Sequence, residues 1–378
     1  MKPVPLPPNQ LHHFYAGGAA IAAFRGTAPT DDHAPEDWVG SATTMFGQPR
    51  AGLSVLADGT LLAEAIAADP EAYLGSEHVA AFGPHPALLV KLLDAGQRLP
   101  VHVHPDRAFA ASHLGCRNGK TEAWVVVETR DPDPVVYLGF REAVEAGMLA
   151  AWVDGQETTA LLGALHRIPV RAGDTVLVPA GTPHAIGPGV FIVELQEPTD
   201  FSVLLEWDGF DIDGRGKGHL GLGMDVALRC VDRGAWDRDR IRHHCTDRPA
   251  PPDRFGGVRP LFPVDADPFF RAERVLPDPV ARLDQAFSIL AAVDGSGRLE
   301  TAAGDAMPLR RGQTVLLPHA AGATTVSGAV HVVRCRPPAP HHFVGPTKRA
   351  AEPRQSLGPR NSPPSPEPDP AGATTPGV

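Results

Sequence analysis

The residues with the clearest chemical potential are two histidines set two apart, His102 and His104 in VHVHP. In an extended strand residues i and i+2 share a face, so both imidazoles project the same way. Glu122 lies in GKTEAW at the head of the next strand-like run. His184 follows the strand DTVLVP and a proline–glycine turn. Three neutral imidazoles and one carboxylate form a complete donor set for a borderline divalent ion such as Zn²⁺, one per chain, and other divalent metals are compatible. Histidines with a carboxylate and open positions also suit Fe(II) and O₂ chemistry. An isolated H-x-H carries little weight; the joint spacing Gly96-x5-His102-x-His104 … Glu122 … Gly173-x5-Pro179-x-Gly181-x2-His184 carries much more. His113, His166 and the pairs at 12–13, 243–244 and 341–342 lack such a framework and read as surface histidines.

That joint spacing resembles the two-part signature of the cupin barrels, and the surrounding elements agree with it. LLVKLLDAG (88–96), TEAWVVVET (121–129), DTVLVP (174–179), GVFIVELQ (189–196) and DFSVLLEW (200–207) read as strands, as does WVGSATTMFG (38–47). Residues 59–82 have helical spacing broken near Asp69-Pro70, and HLGLGMDVALRCVD (219–232) looks helical. GDTVLVP (173–179) and GQTVLLP (312–318) match at five of seven positions, but Ala323 stands where His184 stands in the first copy. The expected fold is therefore mainly β: two cupin (double-stranded β-helix, jelly-roll) barrels, the second degenerate. The first spans 1–235 and includes a helical insert at about 140–168. A linker covers 236–260, the second barrel 261–336, and a Pro-rich tail expected to be disordered 337–378.

Composition narrows the function. The 378 residues carry 34 Lys+Arg against 44 Asp+Glu, a net charge of −10. This disfavours a nucleic-acid partner, which rewards a basic patch. No run approaches a membrane helix and the N-terminus has no apolar signal region, so a cytoplasmic protein with no membrane partner is expected. The four scattered cysteines read as reduced thiols. With 39 glycines and 41 prolines, short strands joined by turns are favoured over long helices.

On WVGSATT (38–44), LLVKLLDAGQRLPVHVHPD (88–106), GKTEAW (119–124), LGFREAV (138–144), HRIPVRAGDTVLVPAGTPHAIGPGVFIVELQEPTD (166–200) and HLGLGMDVALRCVD (219–232), the chain resembles the class I, zinc-dependent mannose-6-phosphate isomerases. The resemblance implies interconversion of mannose 6-phosphate and fructose 6-phosphate through a cis-enediol, with a small sugar phosphate as partner and a monomer or weak homo-oligomer as the assembly. It places the metal ligands on His102, His104, Glu122 and His184, the first being usually glutamine in the family. It places a lysine on Lys120, which alternation puts on the same face as Glu122 and which suits polarising a sugar oxygen or moving a proton. Asp200 is then a base, an orienting group or a turn-forming residue, and Ser41, Trp38 and Lys120 are candidate substrate contacts. The family's arginine four residues after that aspartate is here Leu204; Arg141, Arg167, Arg171 and Arg215 are the basic residues nearby in sequence. Two other readings remain: a cupin metalloenzyme of another class, such as an Fe(II) oxygenase, and a non-catalytic sugar-binding cupin.

Overall fold

The computed structural model describes residues 1–246 and 257–342, and residues 1–343 belong to one compact unit. Three antiparallel sheets dominate. A seven-stranded sheet runs in the order Cys245–Thr246, Thr175–Val178, Glu122–Thr129, Val190–Gln196, Leu89–Ala95, Glu36–Val39 and Gln10–Leu11. A five-stranded sheet runs Val203–Leu204, His102–Val103, His184–Ile186, Val135–Phe140 and Leu165–Pro169. The third sheet has eight strands. Its main path is Val4–Pro5, Thr314–Leu317, Ser288–Thr301, Thr324–Arg336, Arg271–Leu276 and Gly257–Pro260, with Val280–Leu283 and Ala306–Arg310 added alongside.

The seven-stranded sheet is covered on both faces, which explains its near-continuous apolar strands. One face carries Val90, Leu92, Val125, Phe191 and Val193, packed with Phe270, Phe287, Ile289 and Leu316 from around the eight-stranded sheet. The other face carries Leu93, Trp124, Val126 and Ile192, packed with Val136, Leu138 and Ile186 of the five-stranded sheet. The cavity described below opens between these latter two sheets. The two GxTVLxP segments share a local geometry. Gly173 (φ 93°) and Gly312 (φ 92°) both occupy the left-handed region open to glycine, and each leads into a fully buried four-residue strand, Thr175–Val178 and Thr314–Leu317.

Several elements differ from the sequence reading. The strand expected over 38–47 is Glu36–Val39, because residues 41–43 turn back on themselves with the Ser41 hydroxyl accepting from the Thr43 amide at 3.0 Å. The run 219–232 holds only a helical turn, Met224–Ala227, and a 3₁₀ turn, Leu228–Cys230; Gly221 and Gly223, both at φ 78°, prevent a continuous helix. The insert helices are Ala146–Gly155 and Thr158–Ala164, after which Leu165–Pro169 already belongs to the sheet. Within 236–260, Arg238–His244 is a helix capped by Asp237, Cys245–Thr246 pairs with Thr175–Val178, and Gly257–Pro260 pairs with Arg271–Leu276. In the expected tail, Ala339 is buried and the Pro337 carbonyl accepts from Arg271 Nε at 3.1 Å; the remainder, from 343, lies outside the described residues.

Candidate active site

Strand pairing assembles the four predicted ligands from both inner sheets. His184 is the direct cross-strand partner of His102, and His104 lies two residues further along the chain. Glu122 opens its strand on the facing sheet, opposite Val178 and Gln196. The three imidazoles converge, with ligand atoms within 4.8 Å of one another, and all are buried. Glu122 Oε2 lies 3.0 Å from His104 Nε2, and Oε1 lies 3.3 Å from His184 Nε2.

The rings are held in one orientation by backbone carbonyls. Nδ1 of His102 lies 2.8 Å from the Pro100 carbonyl, Nδ1 of His104 2.7 Å from that of Phe201, and Nδ1 of His184 2.8 Å from that of Thr182. A carbonyl only accepts, so each Nδ1 carries the proton and each Nε2 offers its lone pair to the centre. This is the arrangement that orients histidine for a metal. Burial, reinforced by His184, His104 and Lys120, holds His102 well below the ordinary histidine range; burial and Lys120 push His104 down to about 3. Burial alone would raise Glu122, but Lys120 and His104 outweigh it and hold the carboxylate well below its usual range. Neutral imidazoles and an ionised carboxylate are the forms that ligate. Buried His184 Nε2 has no hydrogen-bond partner, and Glu122 Oε2 has only ionic neighbours, Lys120 Nζ among them at 3.0 Å. Unsatisfied buried acceptors facing one point are costly unless a cation sits there, so the donor set fits a divalent ion.

Lys120 completes this group. Its Nζ lies 2.9 Å from His104 Nε2 and 3.0 Å from Glu122 Oε2, and the residue is buried. A cavity of about 1030 Å³ opens from here, lined by His102, Lys120, Glu122, Asp200 and Leu204 among others. Asp200 Oδ2 accepts from the Phe46 amide at 3.0 Å, so this carboxylate ties the 45–48 loop to the cavity rim. Ser41 and Trp38 do not line the cavity. Trp38 is fully buried, its Nε1 donating to Glu36 Oε2 at 2.7 Å, and Ser41 is spent on the turn with Thr43.

Sequence reasoning missed a second group on the same wall. Glu194 and Lys91 are direct cross-strand partners, as are Lys91 and Trp38. Glu36 accepts from the Tyr15 hydroxyl at 2.5 Å and from Trp38 Nε1, and lies 3.0 Å from Lys91 Nζ and 3.3 Å from His13 Nε2. Burial lowers the tendency of Lys91 to stay charged, but Glu36 and Glu194 overcome this and raise it above the lysine range. Glu194 is buried 3.9 Å from Lys91, and its Oε1 has no hydrogen-bond partner. Burial and the charge of Glu122 lift its carboxyl to about 8. His13, Tyr15, Glu36, Lys91 and Glu194 all line the cavity, so His13 is not a surface histidine. The available signal was one charged residue inside each of two apolar strands, LLVKLL and VFIVELQ, since such residues are rarely buried without a task or a partner.

None of Arg141, Arg167, Arg171 and Arg215 lines the cavity. Arg167 pairs with Asp133, Arg171 with Asp174 at 3.7 Å, and Arg215 with Asp154 at 2.7 Å. Leu204 is buried beside His102, its direct strand partner. Among the described residues no helix is long and apolar enough to cross a membrane.

No family model matches the chain. Curated relatives do, among them the mannose-6-phosphate isomerase of Streptococcus mutans, 33% identical over 224 residues, and the mannose-6-phosphate isomerase ManA of Bacillus subtilis, 31% identical over 204 residues. The matches cover 58% and 53% of this chain, and 66% and 59% of those relatives. The crystal structure of the mannose 6-phosphate isomerase from Bacillus subtilis superposes with a TM-score of 0.70 over 89% of this chain and 100% of that one, at 22% identity. A mannose 6-phosphate isomerase bound with zinc and yttrium gives a TM-score of 0.66 over 90% of this chain and 100% of that one, at 16% identity. The matches and the site together show that the chain resembles the class I mannose-6-phosphate isomerases in sequence and shares their cupin fold.

Proposed function

We propose that the protein is a divalent-metal-dependent aldose–ketose isomerase interconverting mannose 6-phosphate and fructose 6-phosphate. The observation that carries this reading is the set of three carbonyl-oriented imidazoles facing Glu122 at the base of a cavity whose wall presents Lys120, Lys91 and Glu194. His102, His104, Glu122 and His184 would hold the ion, with zinc the favoured metal from the nitrogen and carboxylate donors and from the zinc-bound neighbour. When bound, such an ion supplies a Lewis acid that steadies negative charge on sugar oxygens.

Isomerisation moves a proton between C1 and C2 through a cis-enediol, so it needs an acid–base group and cations near O1 and O2. Glu194 suits the first task. Burial and the charge of Glu122 raise its carboxyl to about 8, and one oxygen is unpartnered, which suits a group that gives and takes a proton. Lys91 and Lys120 suit the second, each held beside a carboxylate in a water-poor wall. Asp200 serves as a positioning residue that fixes the 45–48 loop at the rim. In the same reading residues 1–235 hold the site, and residues 261–336, which supply most of the eight-stranded sheet, form the degenerate second barrel.

Metal analysis tests the ligand set. Purified protein should hold about one divalent ion per chain, and His102→Ala/His184→Ala should hold none, because two of four donors are gone. Stoichiometric metal in the double variant would contradict the assignment.

A further inference from the structure

The cavity-lining cations are not equivalent. Lys91 is committed to Glu36 at 3.0 Å and Lys120 to Glu122 at 3.0 Å. His12 pairs with Asp31 at 2.6 Å, His13 lies 3.3 Å from Glu36, and His102 belongs to the metal cluster. Lys217 lines the same cavity, is exposed, and has no side-chain hydrogen bond or ion pair with any described residue.

Its position is built into the fold. Lys217 ends the short helix Gly214–Lys217, whose first turn is capped by Asp213 accepting from the Gly216 amide at 3.0 Å. The Lys217 amide donates to the Asp213 carbonyl at 2.9 Å. The next residue, Gly218, is buried, and its carbonyl accepts from the Leu204 amide at 2.8 Å. Leu204 in turn pairs with His102. The helix end is thus bonded to the strand beside the metal cluster, and a side chain on Gly218 would press on Leu204 Cβ at 3.0 Å. The other cation of the turn, Arg215, is tied outward to Asp154 by its side chain and its carbonyl. One cation is left to face the cavity.

A hexose phosphate bound with C1 and C2 at the buried histidine–carboxylate cluster carries its phosphate at the opposite end, toward the open mouth. We infer that Lys217 takes the phosphate of the substrate there and sets the preference for a phosphorylated sugar. This inference rests on the isomerase reading above. It also separates two tasks in a chain with Leu204 at the reacting end: Lys91 and Lys120 serve the sugar oxygens, and Lys217 serves the phosphate.

The test compares the zinc-loaded protein with Lys217→Met, which keeps the apolar stem, and Lys217→Arg, which keeps the charge. An exposed charged contact is worth little, so Lys217→Met should raise KM for mannose 6-phosphate about two- to fivefold, with the loss falling chiefly on KM. Lys217→Arg should recover most of the affinity. KM of the wild type should rise with added salt more steeply than KM of Lys217→Met. An unchanged KM in Lys217→Met, or an equal salt response, overturns the inference. If the wild type turns over no mannose 6-phosphate, the isomerase reading fails by itself. Calorimetric binding of mannose 6-phosphate then decides on Lys217: weaker binding to Lys217→Met supports it, and equal binding overturns it.

Discussion

Replacing Glu36 by glutamine strikes the most concentrated point of the buried wall. The carboxylate receives the Tyr15 hydroxyl at 2.5 Å and Trp38 Nε1 at 2.7 Å, and faces Lys91 Nζ at 3.0 Å. An amide keeps the shape but removes the charge, and its NH₂ must point at one of three donors. Lys91, only 2% exposed, then loses its nearest counter-ion while remaining beneath the sheet. Breaking one partner of a buried pair costs on the order of 3–5 kcal/mol. In a chain of this size that is a loss of roughly 4–6 °C in Tm. The sign with pH follows from Glu36. Burial opposes its ionisation, but His13 and Lys91 outweigh that and hold it well below its unfolded value of 4.5. Its contribution is therefore present above 4.5 and is lost as pH falls through the lower folded value. The gap between wild type and Glu36→Gln, read by thermal and denaturant unfolding, should be full at neutral pH and narrow under acid. Adding Lys91→Met to Glu36→Gln should recover part of the loss, because the stranded charge is gone. A single variant within about 1 kcal/mol of wild type, or a double variant equal to the sum of two independent losses, would mean that Glu36 does not hold the Lys91 charge in place.

Two other substitutions have clear expectations. Glu194→Gln should abolish most isomerase turnover and, in metal-free protein, stabilise the fold at alkaline pH. The carboxyl is raised from 4.5 to about 8 in the folded state, chiefly by burial, so its ionisation costs stability as pH climbs through that window and costs nothing below it. Unfolding midpoints from pH 4 to 9 check this, and an unchanged difference across the range contradicts it. Leu204→Arg should be neutral or harmful, because Lys91 and Lys120 already supply cations to the same cavity and Gly218 crowds the site at 3.0 Å from Leu204 Cβ. A tenfold or greater rise in kcat/KM on mannose 6-phosphate would show that the reacting end lacks a cation.

The histidines of the proposed metal site were legible because local periodicity and turn spacing position them. Alternation in VHVHP sets His102 and His104 on one face, and GDTVLVPAGTPH brings His184 back through a glycine turn. Lys91, Glu194 and Glu36 were not, because they meet only through pairing across three strands far apart in the chain. Covering the seven-stranded sheet on both faces also erased the alternation that would show which way each residue points. Trp38 and Ser41 illustrate the converse: closeness in sequence to family-like residues does not give direction, and both turned into the core or the turn rather than the cavity. Lys217 was hidden because a glycine-rich run carries no periodicity, and its placement depends on one carbonyl of Gly218 meeting the Leu204 amide.

A coupled assay of the purified protein on mannose 6-phosphate, reading fructose 6-phosphate formation, decides whether the cavity is a metal-dependent isomerase site. The assay is run as purified, after exhaustive chelation, and after zinc is added back. Turnover should be abolished by chelation and restored by zinc. Undiminished turnover after verified metal removal, or none with a full complement of zinc, would contradict the metal-dependent isomerase reading.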